Sequence, residues 1–94
     1  MAKAIWNGVV LAESDDVKLV EGNPYFPADS VKMQYFEPSD RRTTCPWKGE
    51  ASYYNVAVNG QKKSNLAWYY PNPKPEAANI EGYIAFYPMA KIEW

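Results

Sequence analysis

Cys45 and Lys48 stand three positions apart in the stretch Thr43–Tyr54, TTCPWKGEASYY, and offer the most varied chemistry in the chain. Cys45 is the only cysteine. A thiolate is a strong nucleophile, and a neighbouring cation such as Lys48, Arg41 or Arg42 would favour it. The same side chain serves equally well as a small buried apolar group. Cys-X-X-Lys has the outline of half a redox motif, but the resolving cysteine is missing. Lys48 suits a phosphate or carboxylate as a point charge, or a solvated turn. It does not belong to a phosphate loop, whose glycines precede a Lys-Ser/Thr pair that opens a helix. Here Gly-Glu-Ala follows Lys48 and leads into a strand.

Aromatic side chains supply the third kind of chemistry. Trp47, Tyr53, Tyr54, Trp68, Tyr69 and Tyr70 flank one turn, Asn59-Gly60. Pairing about that turn brings Tyr53 and Tyr54 beside Trp68 and Tyr70. Most such residues in a small β domain fill the core or make cross-strand pairs. Polar-tipped rings also suit a wet pocket that stacks a planar ligand or holds a cation. Among the acids, Glu37, Glu50 and Glu81 adjoin loops, and of these three Glu37 is nearest in sequence to Arg41 and Arg42.

Composition removes many mechanisms. The chain has no histidine, which takes away the commonest general base and metal ligand. With one cysteine there is no internal disulfide and no four-ligand Cys/His zinc site, so neither metal nor cofactor is expected. Ten basic and eleven acidic residues leave a net charge of −1, without the basic stripe that nucleic acid requires. No apolar run approaches the roughly 18 residues of a membrane helix, and MAKAIWNG lacks a signal-peptide core. These features predict a soluble cytoplasmic protein with no membrane or nucleic-acid partner. Its expected partner is a small molecule, and it is expected to be a monomer or weak homodimer.

The elements that must position these groups read as strands. The 94 residues are expected to form one domain, 1–94, whose core is supplied by four Trp, eight Tyr and three Phe. Asn7-Gly8 turns residues 2–6 back onto Val9–Glu13, and Ser14-Asp15-Asp16 makes a second turn. Val17–Val20 is a short strand, ended by Gly22-Asn23-Pro24. Val31, Met33 and Tyr35 alternate, which predicts a strand over Val31–Phe36, with a short helical turn as the rival. A loop follows at Glu37–Asp40. Glu50–Val58 reads as a central strand with bulk on both faces, paired through Asn59-Gly60 with Asn65–Tyr70. Three prolines between Pro71 and Pro75 cannot join a sheet interior. Glu76–Ile80 allows one helical turn. A last hairpin is expected from Tyr83–Tyr87, across Pro88-Met89, to Ala90–Trp94. The pattern is all-β: antiparallel hairpins in a small β-tent-like or open-barrel arrangement, with at most one or two short helical turns.

Tyr25-Phe26-Pro27, Asp29, Thr44–Gly49 with Ala51, Tyr53 and Tyr54, Ala67-Trp68, Tyr70-Pro71, Pro73 and Ala85–Tyr87 together resemble the bacterial domain-of-unknown-function 427 family. The resemblance runs from about Gly8 to the C-terminus. It implies a β-tent-like domain, akin to methionine-R-sulfoxide reductases and the ligand-binding domain of cereblon. Many β-tent proteins hold zinc on two Cys-X-X-Cys pairs, which this chain lacks. The family has also carried a nucleotidyltransferase label. Such transfer usually needs acidic residues around a divalent metal, and no such cluster is legible. The functional expectation is a small-molecule-binding domain with an aromatic pocket around the Cys-Pro-Trp-Lys-Gly turn. Ligand-binding candidates are Arg41, Trp47, Lys48, Tyr53, Tyr54, Trp68 and Tyr70. The alternatives are an enzyme with Cys45 as nucleophile or redox centre, and a protein-interaction module.

Overall fold

A computed structural model describes residues 1–94. Nine strands follow in order: β1 (Ala2–Trp6), β2 (Val9–Ser14), β3 (Lys18–Val20), β4 (Asn23–Tyr25), β5 (Phe36–Cys45), β6 (Gly49–Val58), β7 (Gln61–Tyr69), β8 (Ile84–Phe86) and β9 (Lys91–Glu93). Three short 3-10 turns, Ala28–Ser30, Met33–Tyr35 and Pro75–Ile80, supply the only helical structure. The strands form antiparallel sheets of order β2-β1-β9, β3-β4 and β5-β6-β7-β8, none closed into a barrel.

Several local expectations give way to longer-range ones. Val31–Phe36 is not a strand: Met33–Tyr35 takes the helical turn, and Phe36 begins β5. β5 then continues through the expected loop at 37–40, because Phe36, Glu37 and Pro38 pair with Val56, Asn55 and Tyr54. A register shift between Pro38 and Arg42 absorbs the turn-forming Ser39-Asp40, where the Ser39 hydroxyl accepts the Arg41 N–H. The Gly22-Asn23-Pro24 break is the return strand of a hairpin. Glu21 and Gly22 form its two-residue turn at φ 54° and 80°, and Val20 faces Asn23. The expected last hairpin does not form. β8 adds to β7, whereas β9 adds to β1 in the other sheet. Tyr87–Ala90 therefore carries the chain from one sheet to the next.

The four-stranded sheet has two covered faces, as the bulk on both sides of Glu50–Val58 leads one to expect. On one face Val56, Ile84 and Phe86 meet Ala4, Leu11 and Ala12 of the three-stranded sheet. Phe86 makes edge contacts with Phe26 and Phe36, at centroid distances of 5.8 and 6.1 Å. The other face carries Ala51, Tyr53, Tyr70 and Ala85, covered in part by Tyr25 and by Ala77 and Ile80 of the last 3-10 turn. Adjacent residues Tyr25 and Phe26 thus enter opposite apolar layers. Phe26 also exchanges two 2.8 Å backbone hydrogen bonds with Ile84, fixing the base of the β3–β4 hairpin to β8. Ala57 is exposed, so β6 is two-sided only in its first half.

Candidate functional site

Strand periodicity sorts the chemistry-bearing residues. Thr43 pairs with Ala51, Cys45 with Gly49, Tyr53 with Trp68, and Trp68 with Ala85. Directly opposed residues share a face, and alternate residues along each strand do too. Arg41, Cys45, Tyr53, Trp68 and Tyr70 consequently lie on one face. Thr43 and Tyr87, which sequence reasoning did not single out, join them. Tyr54 lies on the reverse face, where it stacks on Tyr69 at 4.8 Å and meets Phe36 edge-on at 5.6 Å. Tyr54 is not brought to the site, because adjacent residues of a strand point to opposite faces.

At one end of this face the rings form an open ledge. Trp68 and Tyr87 lie 4.6 Å apart, Tyr53 and Tyr87 stack at 6.4 Å, and the Arg41 guanidinium lies 5.1 Å from the centre of the Tyr53 ring. Tyr53 is buried, whereas Tyr87 is 37% exposed. Arg41 is exposed and has no carboxylate within 4.0 Å. Glu37, four positions before it, pairs instead with Lys62 at 2.6 Å. The Tyr53 and Thr43 hydroxyls share a 2.7 Å hydrogen bond, and the Tyr87 hydroxyl lies 3.4 Å from Tyr53. Burial pushes the Tyr53 phenol up, but Thr43, Tyr87 and the Arg41 guanidinium outweigh it and hold the group below the ordinary tyrosine value. The Trp68 indole N–H donates to the hydroxyl of buried Tyr25 at 3.1 Å, which sets the plane of the indole.

At the other end lies the Cys-Pro-Trp-Lys-Gly turn, gripped from two sides. On one side the Lys74 N–H donates to the Lys48 carbonyl at 2.9 Å, and the Lys74 ammonium donates to the Pro46 carbonyl at 2.6 Å. Gly49 sits at φ 109°, and a Cβ placed there would reach the Asn72–Lys74 backbone at 3.5–3.7 Å. On the other side stands the tip of the β3–β4 hairpin. There the Glu21 carboxylate accepts the Lys48 ammonium on one oxygen and the Trp47 indole N–H, at 3.4 Å, on the other. Lys48 is 5% exposed, and its ammonium also lies 4.9 Å from the Trp47 ring and 5.7 Å from Tyr70. Burial opposes its charge. Glu21, with weaker help from Tyr25 and Cys45, outweighs that and raises Lys48 above the ordinary lysine value. Lys48 is thus neither a solvated turn lysine nor a free cation.

Cys45 is half-buried and packs against the layer formed by Tyr25, Tyr53 and Tyr70. No side chain hydrogen-bonds its thiol. Glu21 and Lys74 contact the turn from its two sides. The structure's concavity, of about 320 Å³, lies instead near Pro24, Phe86, Pro88, Ile92 and Trp94. No three His, Cys, Asp or Glu side chains group closely enough to hold a metal ion. No helix is long and apolar enough to cross a membrane. Sequence reasoning missed Glu21, Tyr25, Thr43 and Tyr87. Thr43 was legible in principle, two residues from Cys45 along one strand. Glu21 was not, because its partner lies 27 positions away.

Residues 1–93 match the family described as domain of unknown function 427 (DUF427), which carries a nucleotidyltransferase-type short label, and the chain belongs to that family. No curated protein matches the chain.

Proposed function

For this DUF427 domain, we propose that the aromatic ledge at one end of the four-stranded sheet binds a small planar anionic molecule. Trp68 and Tyr87 offer the stacking surfaces, and Arg41 meets the anionic group. The Tyr53 hydroxyl supplies a hydrogen bond from beneath. The observation that carries this reading is the gathering of these four side chains on one sheet end, with Arg41 free of any acidic partner. A buried ring bonded through its hydroxyl and an exposed ring beside it make a ledge that needs no rearrangement to accept a flat ligand. An arginine that stacks and also presents a planar fork suits carboxylate or phosphate. Lys48, the other cation considered, is already committed to Glu21.

Isothermal titration of aromatic carboxylates, nucleotides and neutral sugars tests the reading. Binding is expected for planar anions. Arg41→Ala and Tyr87→Ala, both at exposed positions, are each expected to weaken it about tenfold or more, the equivalent of roughly 1.4 kcal/mol. No heat from any planar anion, or binding indifferent to both substitutions, refutes it.

A further inference from the structure

The Lys48–Trp47 corner holds a carboxylate in a way that the stability of the fold does not require. Lys48 is the one charged side chain of the chain that is buried. Burying an ammonium is costly unless it is paired, and an apolar side chain would serve packing better. Around this ammonium the chain places the Trp47 and Tyr70 rings as cation-stabilising faces and an indole N–H as a second donor. The donors converge on the two oxygens of one carboxylate, that of Glu21.

Glu21 reaches the corner from an unfavourable backbone position. Its φ of 54° lies in the left-handed region, at the first position of a two-residue turn where Asn, Asp or Gly is the usual choice. The other two-residue turns of this kind, Asn7-Gly8 and Asn59-Gly60, have Asn there. A larger residue held in that region carries strain, which concentrates at functional sites. The Glu21 side chain is itself 52% exposed, so it closes the corner from the solvent side. The hairpin is anchored at its base by Tyr25 and Phe26, while Glu21 supplies the side-chain contact between its tip and the turn.

We infer that the Lys48–Trp47 corner is a carboxylate-binding seat, occupied by Glu21 as a built-in substitute, and that a carboxylate-bearing small molecule enters it by displacing the tip of the β3–β4 hairpin. The corner is a separate place from the Arg41 ledge and does not rest on it. A tethered carboxylate acts at a high effective concentration, so the seat is masked in the resting chain. Displacement opens the corner to solvent beside Tyr70 and the Cys45 layer.

The test follows the Trp47 indole N–H cross-peak by ¹⁵N NMR while sodium acetate is added, with sodium chloride at matched ionic strength as the control. Glu21→Gly removes the carboxylate and suits the positive φ, and Glu21→Gln retains the side-chain length. Both variants are expected to show a saturable acetate shift whose midpoint lies about tenfold or more below that of the unsubstituted chain. Lys48→Met added to Glu21→Gly is expected to abolish the shift. Equal acetate responses in all chains, or a response that survives Lys48→Met, overturn the proposal. A tighter response to inorganic phosphate than to acetate overturns the carboxylate assignment. The Arg41→Ala chain is expected to behave as the parent does, which separates this result from the fate of the ledge.

Discussion

Replacing Trp68 by Phe probes whether one buried hydrogen bond sets the geometry of the aromatic ledge. The substitution removes the indole N–H that donates to the Tyr25 hydroxyl at 3.1 Å. A typical bond of this kind contributes about 1 kcal/mol net, and a buried hydroxyl left short of a partner costs about 1–3 kcal/mol. Tyr25 is 1% exposed, so water does not replace the lost donor. Exchanging indole for phenyl also gives up roughly 30 Å² of ring area, worth up to about 0.8 kcal/mol. The total loss is about 2–3 kcal/mol. Tyr25→Phe alone should cost less, about 1 kcal/mol, because it keeps the ring volume and strands a donor on a residue that is only half-buried. In the double variant neither group is left unpaired, so its cost should fall short of the sum by about 1 kcal/mol. Urea unfolding followed by far-UV circular dichroism measures all four corners of the cycle. Agreement of the double variant with the sum to within about 0.3 kcal/mol means that the bond contributes nothing, and the account of how Trp68 is held fails.

The other predictions concern the turn and the tyrosines. Gly49→Ala places a Cβ at ordinary contact distance from Lys74 and Asn72, 3.5–3.6 Å, but at φ 109° the backbone strain should cost about 1–3 kcal/mol. A melting temperature equal to that of the parent would show that the turn relaxes freely. Burial, reinforced by Tyr69, pushes the Tyr54 phenol up to about 12, and burial likewise raises Tyr25, Tyr70 and Tyr87. The unfolded chain ionises these phenols near pH 10, so it loses protons while the folded chain keeps them. Their contribution is complete below about pH 10 and is lost as pH rises towards 12. Two pH units for Tyr54 correspond to about 2.7 kcal/mol, reduced by solvent screening of a half-buried group to about 1 kcal/mol. Urea midpoints should therefore fall between pH 9 and 11.5. In an ultraviolet titration of the folded chain Tyr53 should ionise first, and an unchanged midpoint with one shared tyrosine titration near 10 would contradict both statements.

How much of this was legible beforehand depended on the distance over which each feature is decided. The turns Asn7-Gly8 and Asn59-Gly60 were legible because two adjacent residues supply the positive φ of a tight hairpin. Their hairpins then followed from period-two alternation. Glu21-Gly22 does the same job with a poorer first residue, and the neighbouring Asn23-Pro24 made the segment read as a break. Val31–Phe36 alternates like a strand, yet the backbone turns there so that Phe36 can begin the ladder with Val56. Ala90–Trp94 has the apolar residues of a hairpin partner for β8, but β9 satisfies its backbone on β1.

The candidate site divides in the same way. Residue order and the two-residue repeat determined that Tyr53 and Trp68 would be cross-strand neighbours and that Cys45 would adjoin the strand that carries Tyr53. The same repeat places Tyr54 on the opposite face. Only tertiary packing decided what Lys48 does. The nature of a buried cation is set by the carboxylate that meets it, and Glu21 arrives from a hairpin 27 positions away. Local sequence encodes turns and faces because backbone sterics act over two to four residues. Ion pairs such as Lys48–Glu21 arise when distant segments meet, and that meeting is settled only in the folded chain.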